Sequence, residues 1–453
     1  MKKSTEKEKQ KRRKGRRGTF EKILVGTSFC AVVLVACFVV YVMGLSTGIP
    51  ATGTGQIATQ LAAPEEGNIT SEATTEESVP EEPTETEAPT EETTEPTEPE
   101  LVLDPNEEKA LALMEDMTLE EKLWQMIFLT PDELTDVTGP TQAGDGTREA
   151  LQNYPVGGLV YFSEHILSQD QITAMIANTQ SYSKIPLFIA VDEEGGMVSR
   201  MSKIGAVPKV DSMASYGAAG DEQAVYELGT QFAQGLAGVG FNIDFAPVAD
   251  ILTNPNNTEL GNRTFSDDPN VAAAMVAQMV KGLQDHNMIS CLKHFPGHGS
   301  TSADSHKGIS VSERTLEELR AEEFIPFCAG IEAGAELVMI SHMSLPEVTG
   351  NYEPCDFSYT IVTEILRNEL GFEGLVVTDS HEMGAIAGTY GCGEAAVAAV
   401  KAGCDVVLMP QSKTDAFEAL LAAVEDGTLT EERINESVLR ILRLKYEYGI
   451  ISE

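Results

Sequence analysis

The strongest constraint on the fold of this sequence is an alternation, repeated from Leu101 onward, between short β-rich apolar runs and longer amphipathic stretches. The apolar runs predict buried strands, and the amphipathic stretches predict helices. The strands are predicted at 126–129, 158–161, 187–191, 242–245, 290–293, 337–341, 375–378 and 406–409. Strand and helix units repeated in this way predict a parallel sheet.

About eight such units predict an α/β fold of the (β/α)8 TIM-type barrel class. A doubly wound open sheet is the alternative, but no GxGxxG motif follows the first predicted strand. Amphipathic helices, such as those predicted at 221–236 and 271–286, would form the outer ring. Thr430 and Glu432 predict the start of a final barrel helix.

The N-terminal region predicts a membrane attachment. A basic tail at 1–22 precedes an apolar stretch at 23–45 that has no charged residue and is long enough to cross a bilayer. Because basic flanks stay in the cytoplasm, we predict a single-pass transmembrane anchor in the cell membrane with the rest of the chain extracytoplasmic. The alternative is a lipoprotein acylated at Cys37, which is less favoured because the residues after Cys37 remain apolar. A removed signal peptide is the least favoured alternative.

The segment 46–104 is rich in Thr, Glu and Pro and contains no Lys or Arg. Such a segment has too little apolar surface to offset its ordering entropy, so we predict a disordered linker before a barrel domain at 105–453. The formal net charge of the chain is -40. This acidity argues against a nucleic-acid partner, because phosphate binding requires clustered basic residues.

The cysteines give no sign of a disulfide framework. Two of the seven lie in the apolar segment, and the other five show no CxxC spacing. This pattern also argues against a thiolate zinc site. Most of the five are predicted to be core residues.

Reactive side chains follow the predicted strands rather than precede them. In a TIM-type barrel the carboxyl ends of the strands form the working face. The residues at or near those ends are Asp192, Asp244, Asp250, Lys293, His294, His342 and Asp379. The starts of the strands carry little that is reactive. The sequence therefore predicts a site at one end of the barrel.

Asp379 is a candidate reactive carboxylate. It follows the apolar run of residues 375–378, which would hold it rigidly, and Thr378 and Ser380 could hydrogen-bond the carboxylate and keep it ionised. The alternative is a structural role as the N-cap of a helix at 381–387.

The loop KHFPGHGSTSADSH at 293–306 places Asp304 two residues before His306. An Asp that accepts a hydrogen bond from one imidazole nitrogen fixes the tautomer, so that the other nitrogen can transfer a proton near neutral pH. The alternative is a solvated loop with ordinary polar residues.

A metal site is an alternative use of the five histidines between residues 294 and 381, which are His294, His298, His306, His342 and His381. The sequence has no HxH on an early strand and no HExxH, which are spacings typical of metal sites. We therefore predict no metal and no cofactor.

Four motifs stand out along the chain: VDEEGGMVSR from Val191, GNRTFSDDP from Gly261, KHFPGHG followed by DSH from Lys293, and VVTDS from Val376. Together these motifs resemble glycoside hydrolase family 3 enzymes of the β-N-acetylglucosaminidase type. They occur in the order of that family, and the resemblance extends over about 111–450.

The resemblance implies a retaining β-N-acetylglucosaminidase with a single barrel domain, in which Asp379 is the nucleophile. His306, oriented by Asp304, would be the acid/base. The residues that match the sugar-binding positions of the family are Asp192, Arg200, Arg263, Lys293 and His294. These types suit the task, because carboxylates accept and cations donate hydrogen bonds to sugar hydroxyls. For each Arg the alternative is a structural ion pair.

Met197 departs from the family pattern, which has an Arg after EGG in many members. We expect it to alter the entrance rather than the sugar subsite. The predicted substrate is a glycan with terminal β-linked N-acetylglucosamine, from peptidoglycan fragments. The alternatives are another β-sugar, a glycoside phosphorylase, a non-catalytic wall-binding barrel and a metallohydrolase.

Overall fold

The computed structural model describes residues 104–301 and 308–452. The predicted anchor at 23–45, the predicted linker up to residue 103 and the loop residues Asp304 and His306 lie outside this part. Within it, no helix combines the length and the apolar character needed to span a bilayer.

Eight parallel strands form one sheet, in the order β7-β6-β5-β4-β3-β2-β1-β8. Their bounds are β1 Ile127–Leu129, β2 Gly158–Val160, β3 Phe188–Val191, β4 Ile243–Asp244, β5 Ile289–Phe295, β6 Leu337–Ile340, β7 Leu375–Thr378 and β8 Val407–Leu408. All eight coincide with predicted strands. The strands are short and buried along their whole length, as expected for a parallel sheet covered on both faces.

The sheet nearly closes into a barrel. Strand β1 pairs with β8 through Phe128 and Leu408, and a parallel bridge between Val377 and Val406 brings β7 next to the start of β8. A continuous apolar core surrounds this ring of strands. The (β/α)8 TIM-type prediction is confirmed at the level of an α/β fold with a nearly closed eight-stranded parallel barrel.

Helices connect successive strands. Two precede β1, at Pro105–Glu115 and Leu119–Gln125, and two follow β8, at Lys413–Glu425 and Glu431–Glu447. The α-helices between strands are Pro131–Thr135, Asp145–Asn153, Gln169–Tyr182, Met213–Ala219, Glu222–Ala237, Pro269–Gln284, Leu316–Ala321, Phe324–Glu332, Pro346–Thr349, Gly384–Ala387 and Cys392–Ala402. A π-helix spans Thr360–Glu369. Short 3-10 turns lie at Ser163–His165, Ser202–Ile204, Gly261–Arg263, His298–Ser300 and Cys355–Phe357.

The two predicted outer helices are present at Glu222–Ala237 and Pro269–Gln284, and they pack closely on each other. Gly282 allows this approach, since a Cβ there would lie 2.3 Å from the carbonyl oxygen of Tyr226. Thr430 caps the last helix by accepting a hydrogen bond from the Arg433 N–H, as predicted.

Two sequence-based expectations are wrong. The helix after β7 begins at Gly384, not at 381, and its N-cap is Met383, so Asp379 does not cap it. The starts of the strands also carry ionisable groups, because Glu336 and Asp405 are buried just before β6 and β8. The five cysteines of the described part are free, and Cys291, Cys355 and Cys404 are buried, as predicted for core residues.

Candidate active site

A cavity of about 470 Å³ opens at the carboxyl ends of the strands. Its polar wall includes every described residue that was matched to a catalytic or sugar-binding position, namely Asp192, Arg200, Arg263, Lys293, His294 and Asp379. Asp244, Asp250 and His342, which were also expected at the strand ends, are buried and do not line the cavity. Its apolar wall includes Val160, Phe162, Phe245, Met339, Leu408 and Met409. A concave site with a few convergent polar groups on an apolar wall is typical of small-molecule binding.

Lys293, on β5, is the centre of a charge network in this cavity. Its Nζ lies 2.8 Å from Asp192 Oδ1 and 2.6 Å from Glu194 Oε1. Arg263 grips the same Glu194 carboxylate with two hydrogen bonds of 2.7 and 2.8 Å. Burial alone would raise the pKa of Glu194, but Lys293 and Arg263 lower it to about 2. The two parallel bonds to Glu194 fix the Arg263 guanidinium, and the carboxylates of Asp192 and Glu194 hold Lys293 Nζ between them.

His294 is held from behind by Asp250. The imidazole Nδ1 lies 2.7 Å from Asp250 Oδ2, which also accepts the His294 backbone N–H at 3.0 Å. The other oxygen of Asp250 accepts the backbone N–H of His298. Burial would raise the pKa of Asp250, but the neighbouring His294 outweighs it and lowers the pKa. Asp250 therefore fixes the ring of His294 in the cavity wall.

Asp379 stands at the end of β7. Its backbone N–H donates to the Ile340 carbonyl, and its Oδ1 accepts the Ser380 N–H at 2.8 Å. Burial alone would raise the pKa of this carboxyl, but His294 and His342 outweigh it and hold the pKa below its ordinary value. Thr378 does not contribute as expected, since its hydroxyl accepts a hydrogen bond from the Leu408 N–H. The structure nevertheless gives an ionised carboxylate on a rigid strand end.

Arg200 and Met197 lie on the segment after β3. Gly195 and Gly196 have φ values of 81° and 62°, and the Glu194 N–H donates to the Val198 carbonyl at 3.0 Å, which closes a tight turn. Met197 lies on this turn with 67% of its surface exposed, next to Val198 in the cavity wall. Arg200 lies over the ring of Phe162 at 5.6 Å and is 3.9 Å from Asp192. The role of Met197 at the entrance stays a prediction.

Asp304 and His306 lie outside the described residues, but both flanks of their loop are described. Ser300 Oγ lies 2.7 Å from Ser312 Oγ, so the two flanks meet. Asn257 anchors the first flank by donating to the His298 carbonyl at 3.0 Å.

The sequence-based reasoning missed several residues of the cavity, among them Glu194, Phe162 and Glu382. Glu194 lies within the quoted motif, but only the fold shows that it neutralises two cations. Phe162 and Glu382 also line the cavity. Glu382 could have been predicted from the sequence, because it follows Asp379 by three residues. Nothing in the sequence indicated that Phe162 lines the cavity.

The four candidate histidines in the described part of the chain form two groups. Asp250 is contacted by the His294 ring and by the His298 backbone N–H, whereas Asp356 is contacted by the rings of His342 and His381. Among the described residues, His342, Asp356 and His381 are close enough to hold an ion, with their ligand atoms within 4.8 Å of one another. His381 Nε2 is hydrogen-bonded to Asp356 Oδ2 at 3.0 Å, and His342 Nδ1 lies at ion-pair distance, 3.2 Å, from Asp356 Oδ1 without hydrogen-bond geometry. One hydrogen bond and one ion pair therefore account for the position of the Asp356 carboxylate.

Comparisons with known proteins agree with this geometry. Residues 118–444 match the glycosyl hydrolase family 3 N terminal domain. The beta-hexosaminidase A of Pseudoalteromonas piscicida is 32% identical over 325 residues, which are 66% of this chain and 54% of that protein.

Two solved structures are also similar. A glycoside hydrolase family 3 beta-N-acetylglucosaminidase from Paenibacillus sp. str. FPU-7 has a TM-score of 0.70 and 35% identity, over 74% of this chain and 64% of that chain. The beta-glucoside phosphorylase BglX, bound to 2FGlc, has a TM-score of 0.69 and 26% identity, over 77% of this chain and 62% of that chain.

This chain thus spans little more than half of the hexosaminidase and less than two thirds of either solved chain. The family match covers most of the barrel and includes all eight strands. The chain therefore belongs to glycosyl hydrolase family 3.

Proposed function

We propose that this protein is a retaining β-N-acetylglucosaminidase that removes terminal β-linked N-acetylglucosamine through a covalent glycosyl-enzyme. The family supports glycoside hydrolysis, and the similar proteins named as a hexosaminidase and a β-N-acetylglucosaminidase support the sugar. The observation that carries the proposal is the ionised, strand-fixed carboxylate of Asp379 in a cavity lined by cations.

In the first step, Asp379 attacks the anomeric carbon. Its Oδ1 is held by the Ser380 N–H, which leaves Oδ2 for the new carbon–oxygen bond. As the glycosidic bond breaks, His306 gives its proton to the departing oxygen. In the second step, His306 takes a proton from water, whose oxygen replaces Asp379 at the anomeric carbon. Asp304 orients His306 in both steps.

The charged wall of the cavity orients the sugar. Asp192 accepts hydrogen bonds from hydroxyl groups, and Lys293, Arg200 and Arg263 are placed to donate to hydroxyl oxygens. Because Lys293 and Asp192 are already paired at 2.8 Å, little side-chain order has to be gained on binding.

We further propose that the substrate comes from peptidoglycan fragments. The support is the predicted anchor at 23–45, which would place the barrel outside the cell membrane. Acylation at Cys37 would give the same location.

Trapping the intermediate tests the reaction, the sugar and the nucleophile together. A slow 5-fluoro analogue of N-acetylglucosaminyl fluoride should label the protein once, and peptide mapping should place the label on Asp379. The variant Asp379→Asn is the control and should take no label. A label on another residue, or an inverted anomer in the first-released product of an aryl substrate, would refute the mechanism.

A phosphorylase is the second candidate, favoured by the likeness to BglX. A histidine acid/base would leave room for phosphate where a carboxylate would repel it. The test is to run the same reaction in phosphate and in a non-phosphate buffer. A sugar 1-phosphate product that forms only with phosphate would favour the phosphorylase, whereas free N-acetylglucosamine in both buffers would favour the hydrolase.

A further inference from the structure

Behind the nucleophile lies a group of three buried residues that the proposed mechanism does not use, which we call the Asp356 network: His342, Asp356 and His381. His342 follows β6, Asp356 lies in the 3-10 turn Cys355–Phe357, and His381 follows β7. All three are at most 1% exposed. The network joins three elements around the end of β7.

The ring of His342 faces an oxygen acceptor on each side. Its Nε2 lies 2.9 Å from the Ser380 carbonyl oxygen, and its Nδ1 lies 3.2 Å from Asp356 Oδ1. A carbonyl oxygen can only accept, so Nε2 must carry a proton. If Nδ1 carried no proton, its lone pair would face the ionised Asp356 carboxylate and repel it. A second proton, on Nδ1, makes this contact attractive.

The remaining oxygen of Asp356 is occupied by a neutral donor. His381 Nε2 lies 3.0 Å from Asp356 Oδ2, and burial lowers the pKa of His381. The carboxylate of Asp356 therefore has one cationic and one neutral partner. Burial would raise the pKa of Asp356, but His342 outweighs it, so this carboxyl is ionised.

We propose that His342 is a buried imidazolium that acts as a positioning residue for Asp379, with Asp356 as its counter-ion. It holds the Ser380 carbonyl, and the N–H of that same Ser380 binds Asp379 Oδ1 at 2.8 Å. It also places a positive charge behind the Asp379 carboxylate. The proposal rests on the function proposed above for Asp379.

The charges that surround His342 decide its protonation. Burial would lower the pKa of His342, but Asp356 and, less strongly, Asp379 raise it to about 9. His381 also faces Asp356 and is affected by His342 and Asp379, and Tyr390 lies near Asp356. A folded-state pKa above the ordinary value means that the imidazolium persists at neutral pH and is lost as the pH rises through about 9.

The variant His342→Gln tests the charge, because the Gln amide can still donate to the Ser380 carbonyl. Without the cation, Asp379 should accept a proton more easily. We expect the acidic limb of the kcat/KM profile on an aryl N-acetylglucosaminide to move up by about one pH unit, with KM little changed. Asp356→Asn should give the same shift, and the double variant should add little to either.

The matched control is His286→Gln, since His286 lies after the outer helix Pro269–Gln284 and binds the Gly282 carbonyl. It should leave the acidic limb unchanged. An unmoved limb in His342→Gln, with active enzyme, would refute the positioning role while the hydrolase function stood. If the wild-type chain cleaved no aryl glycoside, the proposed function would fail instead.

A second measurement does not depend on enzyme activity or on whether a His342 variant folds. Nitrogen NMR of the full chain labelled in its seven histidines should show, at pH 8, a ring protonated on both nitrogens that belongs to His342. Asp356→Asn should remove that signal. A spectrum without a protonated ring would overturn the proposal, as would a bound divalent ion found in stoichiometric amount and lost in Asp356→Asn.

Discussion

The two ends of the barrel both bury charged side chains, but they neutralise them differently. At the carboxyl ends, Asp192 and Lys293 pair with each other and still line the cavity. At the amino ends, Asp405 is fully buried and is enclosed by Arg367, Arg433 and Arg440.

The amino-end group is saturated from several elements. Asp405 also accepts hydrogen bonds from the Ser437 hydroxyl and from the Val376 N–H. Burial would raise its pKa, but the arginines outweigh it and lower the pKa. Buried charge alone therefore does not mark a functional site. What distinguishes the carboxyl end is that its charges also face a cavity large enough for a sugar.

The largest expected effect is the loss of turnover in Asp379→Asn. An amide cannot form the glycosyl ester, so kcat on an aryl N-acetylglucosaminide should fall by on the order of 10⁴-fold or more. Any loss of stability should be small, because the Asn amide has nearly the same shape and its oxygen can still accept the Ser380 N–H. If Asp379→Asn lowered the free energy of unfolding as much as Asp405→Asn does, the two ends of the barrel would not differ in this respect.

The next effect belongs to the amino end. Asp405→Asn should reduce the free energy of unfolding by about 3 kcal/mol, because the partly buried Arg367, Arg433 and Arg440 lose their shared counter-ion. The kcat of the folded fraction should stay unchanged. Urea unfolding measures the first quantity and steady-state assay the second. Asp426→Asn is the control, since Asp426 is exposed and hydrogen-bonds to its near neighbour Thr428, and it should leave the urea midpoint nearly unchanged.

Much of this fold could be predicted because its elements are local. Each strand is a short apolar run, and Asp379 could be placed because it directly follows one of them. The partners of the site residues could not be predicted in the same way. Arg263 and Glu194 are 69 residues apart, and Lys293 and Asp192 are 101 apart, so these pairs depend on how the strands come together.

The sequence-based expectation that reactive side chains occur at the ends of the strands and not at their starts was too simple, because it also depended on contacts between distant residues. Asp405 and Glu336 precede strands that were correctly placed, but the groups that hydrogen-bond to them come from other helices and strands. Glu336, for example, accepts hydrogen bonds from the Ser290 N–H and from the Gln284 amide. The sequence shows where Glu336 and Asp405 lie relative to the strands, but it does not show whether they have a structural or a catalytic role.

Two arginine forks allow a sharper comparison. Arg263→Lys should reduce kcat/KM by roughly 10- to 100-fold, because Lys cannot reproduce the two parallel bonds to Glu194 at the cavity. Arg320→Lys is a matched control: Arg320 forms the same fork with Glu369 on the exterior, and its loss should leave kcat/KM unchanged. Equal effects would show that the Arg263 fork has no special role.

The smallest expected effect concerns Lys445, a buried residue whose Nζ donates to Gln125 Oε1 at 2.8 Å. Burial lowers its pKa to about 7. In the unfolded chain the pKa of Lys445 is about 10.4, so between these two pKa values the unfolded state binds more protons and the free energy of unfolding rises with pH.

When the pH is lowered from 9 to 8, the free energy of unfolding of the wild-type protein should fall by about 1.4 kcal/mol more than that of Lys445→Met. Urea unfolding at the two pH values measures this difference, and parallel slopes for the two proteins would mean that Lys445 is protonated in the folded state. Activity should be unaffected, because Lys445 lies on the last helix and does not line the cavity.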